Sequence, residues 1–310
     1  MSVFRGKRAE GWLGVVRRKG CIDLAHVVRQ RDARPRIEAL DTFRIEGGFA
    51  EALGRLRGPR KLGHFACTTL LDEADYRLLQ VEAPAVEPEE RIQALRWRLK
   101  DMVDFPVEGA AVAALDIPAG EGGHRTPNLF AVVAGAPAVG RCMGEFDAAG
   151  LALAAIDIPE LAQRNVAALF EEANRGLAFL HLGAERGLLT ITYRGELYLA
   201  RHIEVSADAL ADADVDRRQA LLERLVLELQ RTLDNFDRQY NFISVVRMLV
   251  ACEGACSGLT EALGQNLYIP VQEMDLAAVA DFPALPELRQ KERQAQCLLA
   301  LGAALREGEA

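Results

Sequence analysis

No stretch of the 310-residue chain reaches the run of about 18 apolar residues that a membrane-spanning helix needs. The apolar runs Leu151–Ile156 and Cys297–Leu305 are too short. The N-terminus also lacks an apolar segment of signal-peptide length, which gives the expectation of a cytoplasmic protein. Net positive charge is missing as well. A formal charge of -8 and an isoelectric point near 5.3 argue against a general nucleic-acid binder. Only the first stretch runs the other way, with Arg5, Lys7, Arg8, Arg17, Arg18, Lys19, Arg29, Arg31, Arg34 and Arg36 outnumbering the acids. That basic patch suits either anionic lipid or ordinary solvent. The six cysteines are scattered. Cys252 and Cys256 stand four apart with no second pair and no histidine nearby, which excludes a four-ligand zinc site; five of the six read as core thiols. There is no internal repeat of about 20–50 residues and no low-complexity tract.

What is present is enough apolar residue, 50% of the chain, to bury a sizeable core. Three short strands at Leu177–Leu182, Leu188–Tyr193 and Glu196–Val205 form the clearest unit, an antiparallel meander with turns at Gly183–Gly187 and Arg194-Gly195. A second meander is expected at Trp12–Val16, Cys21–Val28 and Arg36–Ile45, with its turn at Arg17–Gly20. The two should lie in separate sheets facing one cleft. Between them the sequence predicts helices over Phe49–Leu56, Glu89–Val103, Ala138–Ala149 and from Pro159 to about Asn174. Strands are expected at Lys61–Leu70, Arg77–Val81, Ala110–Ile117, Leu129–Ala134 and Leu151–Ile156. Beyond the central meander come a long helix over Asp212–Phe236, a strand at Phe242–Ala251, a helix at Cys256–Leu263, a strand at Leu267–Val271 and a terminal helix over Leu288–Leu305. Strands alternating with helices indicate α/β layering. In the Glu89–Val103 helix, Ile92, Leu95, Leu99 and Met102 share one face. Trp97 beside them is either an interface anchor or a core residue.

Several segments carry a family resemblance: Ala94–Pro106 (ALRWRLKDMVDFP), Phe146–Leu161 (FDAAGLALAAIDIPEL), the hairpin Ala178–Ile203 with Arg201 after it, Leu225–Asp234 and Leu301–Arg306 (LGAALR). In order and spacing they resemble the MshI proteins of mannose-sensitive haemagglutinin (MSHA, type IV) pilus biogenesis. More distantly they are similar to the PilM proteins of type IV pili and to the cytoplasmic domain of the GspL proteins of type II secretion. The resemblance implies an α/β, actin-like (ASKHA, ribonuclease H-like) two-lobed fold with an inserted subdomain in the first lobe. The lobes would span residues 1–158 and 159–287, with the insertion at about 60–135 and a final helix, 288–310, packing back on the first lobe. It further implies a scaffold at the inner membrane that binds the cytoplasmic tail of a bitopic MshJ- or PilN-like protein and communicates with the assembly ATPase. The tail surface is expected on the inserted subdomain, at Ile92, Leu95, Trp97, Leu99 and Met102.

The departures from the family pattern bear on chemistry. An actin-like ATPase needs carboxylates in both phosphate hairpins to hold metal and water. The stretch matching the first hairpin, Gly14–Gly20, has a bulky basic turn and no carboxylate before Asp23. The second has His181-Leu182-Gly183, with Glu185 in the loop. The adenosine-side segment keeps Gly254. The resemblance therefore implies a degenerate nucleotide cleft at Gly14, Lys19, Gly183, Gly187 and Gly254, with no catalytic residue, no metal and no required cofactor. Binding of ATP or ADP stays open, because the glycines permit close backbone approach, and the alternative to the scaffold is a nucleotide-binding switch or weak ATPase of the same actin-like fold. His181 is read as a strand-end residue in place of an acid no longer needed, rather than as a base or metal ligand, since no sequence neighbour partners it. Arg17, Arg18 and Lys19 suit either a metal-free phosphate contact or a solvated turn.

Overall fold

The computed structural model describes residues 10–30, 33–120, 127–254, 256 and 258–306. Arg5, Lys7, Arg8 and Arg31 of the basic patch lie outside these residues. The first lobe opens with β1 (Trp12–Arg18), β2 (Cys21–Val28) and β3 (Arg36–Arg44), an antiparallel meander. Lys19 and Gly20, at φ 39° and 74°, form the tight first turn. Two positive φ values in succession suit the twist of a hairpin, and glycine takes the second without steric cost. Helix α1 (Phe49–Arg57) follows, then β4 (Ala66–Leu70). Later come α3 (Ala136–Ala148) and β8 (Leu153–Asp157); the sheet they complete runs in the order β3-β2-β1-β4-β8. Instead of a strand over all of Lys61–Leu70, the segment Leu62–His64 forms a single helical turn, entered through Lys61 at φ 52°.

Between β4 and α3 stands an inserted layer of β5 (Tyr76–Glu82), α2 (Arg91–Leu99), β6 (Ala111–Ile117) and β7 (Asn128–Ala134), with strand order β5-β7-β6. One face of this sheet packs on α2 through Val81, Leu129, Ala131 and Val133. The other contributes Ile117 and Phe130 to the core of the second lobe.

Helix α4 (Pro159–Ala167) leads into the second lobe; Pro159 at its start suits the first turn, where no amide hydrogen is needed. The meander β9 (Gly176–Leu182), β10 (Gly187–Tyr193) and β11 (Glu196–Ile203) comes next. All of β9 is buried, which explains its nearly continuous apolar sequence. Helices α5 (Ala207–Ala211) and α6 (Val215–Gln239) are separate; Ser206 and Asp214 each accept an amide hydrogen bond as N-caps. The face Leu225, Leu229, Leu233 and Phe236 buries α6 against the sheet. Strand β12 (Val245–Cys252), α7 (Leu259–Asn266) and β13 (Val271–Glu273) complete a sheet of order β11-β10-β9-β12-β13. The two meanders thus lie in two sheets, and each sheet repeats the same strand order.

The expected terminal helix is broken at Cys297 into α8 (Lys291–Gln296) and α9 (Leu298–Ala304). Helix α9 is wedged between lobes. A single core joins Val16 and Ala25 of the first sheet, Val166 of α4, Phe179 and Leu249 of the second sheet, and Leu298 and Leu301 of α9. Polar bonds fix the same junction. Asn165 donates to the Gly302 carbonyl at 2.9 Å, and the buried Gln163 amide donates to the Phe179 carbonyl at 2.8 Å. Arg306 meets Asp157 at 2.9 Å, so two segments that carried the resemblance touch.

Candidate functional site

The β1–β2 turn points across the interlobe cleft, and its cations meet carboxylates. Arg18 donates from Nε to Asp23 Oδ2 at 2.6 Å and lies 3.6 Å from Glu253 Oε2. Strand pairing accounts for the first contact: Val16 faces Asp23 across the hairpin, two residues from Arg18, so both side chains share one face. Asp23 is 1% exposed. It also accepts from Thr42, whose hydroxyl takes Arg293 Nη1 at 2.8 Å. Burial works against the charge of Arg18, and its hydrogen bond to Asp23 with the fields of Asp23 and Glu253 outweighs it, raising the pKa. Lys19 at the tip pairs with Asp208 of α5 on the other lobe, and this contact raises its pKa.

His181, at the end of β9, is buried and does have a partner. Its Nε2 lies 3.2 Å from the Ala295 carbonyl oxygen and 3.4 Å from Glu253 Oε1. Glu253 follows β12 and therefore stands between Arg18 and His181, joining the hairpin of one lobe to the strand end of the other. Cys297 closes the cluster from the C-terminal side. Burial, then the nearby Asp23 carboxylate, push its thiol up to about 12. Sequence reasoning missed Asp23 and Glu253 as members of this site. The hairpin register would have revealed Asp23; Glu253 meets its partners only through tertiary packing and has no local signal.

The glycines divide. A Cβ on Gly14 would come within 2.1 Å of the Ala300 carbonyl oxygen, so this glycine admits the backbone of α9 rather than a nucleotide. Gly187 is enclosed by Leu182, Ile203 and Val205 of its own lobe. Gly183 donates its amide to the Arg186 carbonyl at 2.8 Å, closing the β9–β10 turn, and borders Glu253. Only Gly254 has room beside it, with Ala207 Cβ the near neighbour at 3.7 Å. Lys19 and Gly254 lie beside α5, against Asp208 and Ala207, and Gly183 borders Glu253; Gly14 packs on α9 and Gly187 within its own lobe.

Helix α2 is shorter than the sequence suggested and turns its apolar face inward. Leu95 and Leu99 are fully buried and Ile92 is partly buried against the inserted sheet, so these three are core residues, not surface anchors. Trp97 points the other way, 72% exposed, and Met102 beyond the helix is 46% exposed. Arg201 is held by Glu228 of α6 at 3.0 Å. The cysteines also depart from expectation: Cys67 and Cys297 are buried, Cys21 and Cys142 are half-buried, and Cys252 and Cys256 are joined as a disulfide. Among the described residues, no group of three or more His, Cys, Asp or Glu side chains is placed to hold a metal ion, and no helix is long and apolar enough to cross a membrane.

No protein-family model matches the chain, and no curated protein does. Solved structures do. The chain is similar to a chain of a PilM–PilN type IV pilus biogenesis complex, with 20% identity and a TM-score of 0.77, over 96% of this chain and 98% of that one. It is also similar to a Bacteroides thetaiotaomicron protein with an actin-like ATPase fold, with 9% identity and a TM-score of 0.49, over 88% and 93% of the two chains. The cytoplasmic domain of EpsL, from the type II secretion system of Vibrio cholerae, matches at 14% identity and a TM-score of 0.45, over 92% and 94%. With two like-ordered sheets and a third sheet inserted in the first lobe, the chain has the two-lobed α/β fold of that chain of the PilM–PilN complex.

Proposed function

We propose that the protein is a non-catalytic scaffold of a type IV pilus assembly machine, of the MSHA kind. In this reading it works on the cytoplasmic side of the inner membrane. There it holds the cytoplasmic tail of a bitopic, PilN- or MshJ-like partner and relays movements of the assembly ATPase. The observation that carries the reading is the end-to-end likeness to a chain of the PilM–PilN complex. The cleft supports the non-catalytic part. Arg18 and Lys19 stand in the first hairpin turn already paired with Asp23 and Asp208, and the second turn presents no aspartate. No ATP or ADP is required, and no magnesium-dependent turnover above that of a His181→Ala control is expected from purified protein.

The tail surface is assigned to the outer side of α2. Exposed Trp97 and Met102 supply apolar contact there, and the exposed carboxylates Glu87, Glu89, Glu90 and Asp101 draw a basic juxtamembrane segment. The test is titration of the N-terminal tail peptide of a PilN-like protein into the chain, followed by amide hydrogen exchange. Protection over residues 85–103 is the expected result. Absence of binding overturns the scaffold reading, and protection confined to residues 160–290 overturns the surface assignment.

A further inference from the structure

A groove of about 670 Å³ opens between the inserted sheet and the second lobe, lined by Glu73, Tyr76, Leu78, Glu160, Arg186 and His202. Glu160, in the first turn of α4, is 1% exposed. A carboxylate so deeply buried is tolerated only with hydrogen-bond partners. It has two, from different parts of the molecule. Tyr76, which begins β5 of the inserted sheet, donates its hydroxyl to Oε2 at 2.6 Å. His202, on the edge strand β11 of the second lobe, brings Nε2 to 3.0 Å from Oε1. The other ring nitrogen of His202, Nδ1, lies 3.3 Å from Glu73 Oε1, at the entry to the inserted layer. The same Glu73 oxygen accepts from Arg186 in the β9–β10 turn at 2.7 Å.

Imidazole stereochemistry decides what this arrangement means. A neutral ring has one N–H and one lone pair; a protonated ring has two N–H donors. With a carboxylate oxygen at each nitrogen, a neutral ring must aim its lone pair at one of them. Only the imidazolium, with an N–H on each nitrogen, keeps the Glu160 hydrogen bond and an attractive ion-pair contact with Glu73. We propose that His202 is held as an imidazolium clasp between Glu160 and Glu73, and that loss of its proton releases the entry of the inserted layer from the second lobe.

The surrounding charges agree. Glu160 faces the ring from α4 and Glu73 from the inserted layer; Arg186 and Glu185 come from the β9–β10 turn. Arg77, also on the groove, is turned to Asp104, and Arg201 on β11 itself is turned to Glu228. The hydrogen bond to Glu160 raises the pKa of His202, and the fields of Glu160 and Glu73 add to it, against burial and Arg186. Burial and Glu160 push the Tyr76 hydroxyl far above its usual range, so Tyr76 remains a donor throughout. With the folded pKa raised, the clasp is fully present below the unfolded histidine value of about 6.5 and is lost as pH rises through the folded value. The remaining Arg186–Glu73 contact is exposed and contributes little alone.

The test uses the full chain labelled with 15N-histidine, titrated between about pH 5 and 9, where histidine charge changes fall. Expected is an imidazolium pattern at both nitrogens of His202, with a midpoint above the unperturbed histidine value of about 6.5. Glu73→Gln should lower that midpoint without unfolding the chain. Amide exchange over residues 73–78 should accelerate several-fold through the same midpoint in the parent and show no such step in His202→Gln. A His202 that is neutral at the acidic end, or a midpoint at or below about 6.5, overturns the proposal. So does exchange over residues 73–78 that ignores the midpoint.

Discussion

Replacing Gly14 or Gly302 with alanine tests whether α9 is the wedge that fixes the two lobes. A Cβ on Gly14 would stand 2.1 Å from the Ala300 carbonyl oxygen, and one on Gly302 would stand 2.0 Å from that of Ala162 in α4. Ordinary contact begins near 3.4 Å, so the opposing backbone must retreat by about 1.3 Å in either case. It has no slack to do so. Leu298, Ala300, Leu301, Ala303 and Ala304 are each at most 1% exposed, and both clashes are with main chain rather than a flexible side-chain end. Overpacking of this sort costs about 1–3 kcal/mol, and the upper end applies where backbone must move. With an unfolding entropy of about 2.1 cal/mol/K per residue over 310 residues, each kcal/mol moves Tm by about 1.5 °C, so Tm should fall by about 4–5 °C. The control is Gly140→Ala in α3, where the added methyl meets nothing within 4 Å and helix propensity predicts a gain of about 0.5–1 kcal/mol. Urea and thermal unfolding followed by circular dichroism measure all three. A Gly14→Ala protein within about 0.5 kcal/mol of the parent would refute the wedge, and loss of a ligand without loss of stability would return Gly14 to the cleft.

Other expected outcomes are independent of that helix. Leu95→Ala should cost about 2–5 kcal/mol from the cavity it leaves, whereas Trp97→Ala should stay within about 0.5 kcal/mol in unfolding and weaken tail binding; equal stability losses in both would show that Trp97 packs inward. Cys297, buried and with its thiol pushed up to about 12, should resist a disulfide reagent in the native protein while Cys21 reacts, and rapid native labelling of Cys297 would contradict the packing of α9. The Lys291 ammonium, 2.8 Å from Asp275, holds that carboxyl below its usual pKa. Its contribution to stability is present above the unfolded value of about 3.9 and is lost as pH falls through the folded value, so Asp275→Asn should flatten the acid limb of the stability curve.

Both meanders were legible because they rest on local signals: period-two alternation and glycine at turns that need a positive φ. The turn Arg194-Gly195, at 53° and 76°, repeats the geometry of Lys19-Gly20. Helix ends were less legible. The α4 pattern continues past Ala167, yet the helix stops there, and its polar Gln163 and Asn165 are spent on the second sheet and α9. The break at Cys297 likewise has no glycine or proline to announce it. Chain direction changes so that α8 lies by β12 while α9 enters the interlobe core. The face Ile92–Leu95–Leu99 was correctly read as apolar, but periodicity cannot say whether an apolar face meets a partner or its own sheet. Here the strands β5 and β7 supply Val81, Leu129 and Val133, so the face is already filled.

The two lobes repeat one strand order and bring opposite charges together where they meet. The first hairpin brings Arg18 and Lys19; the second lobe meets them with Glu253 and Asp208. This pairing lets the lobes attract each other directly. The exposed Lys19–Asp208 contact adds little by itself. The Arg18 group is different, because Asp23 and Glu253 are buried and each depends on the same guanidinium. Losing that cation would leave Asp23 with the Thr42 hydroxyl and Glu253 with His181. Together with α9, which packs main chain against main chain between the lobes, the charge pairing joins one lobe to the other.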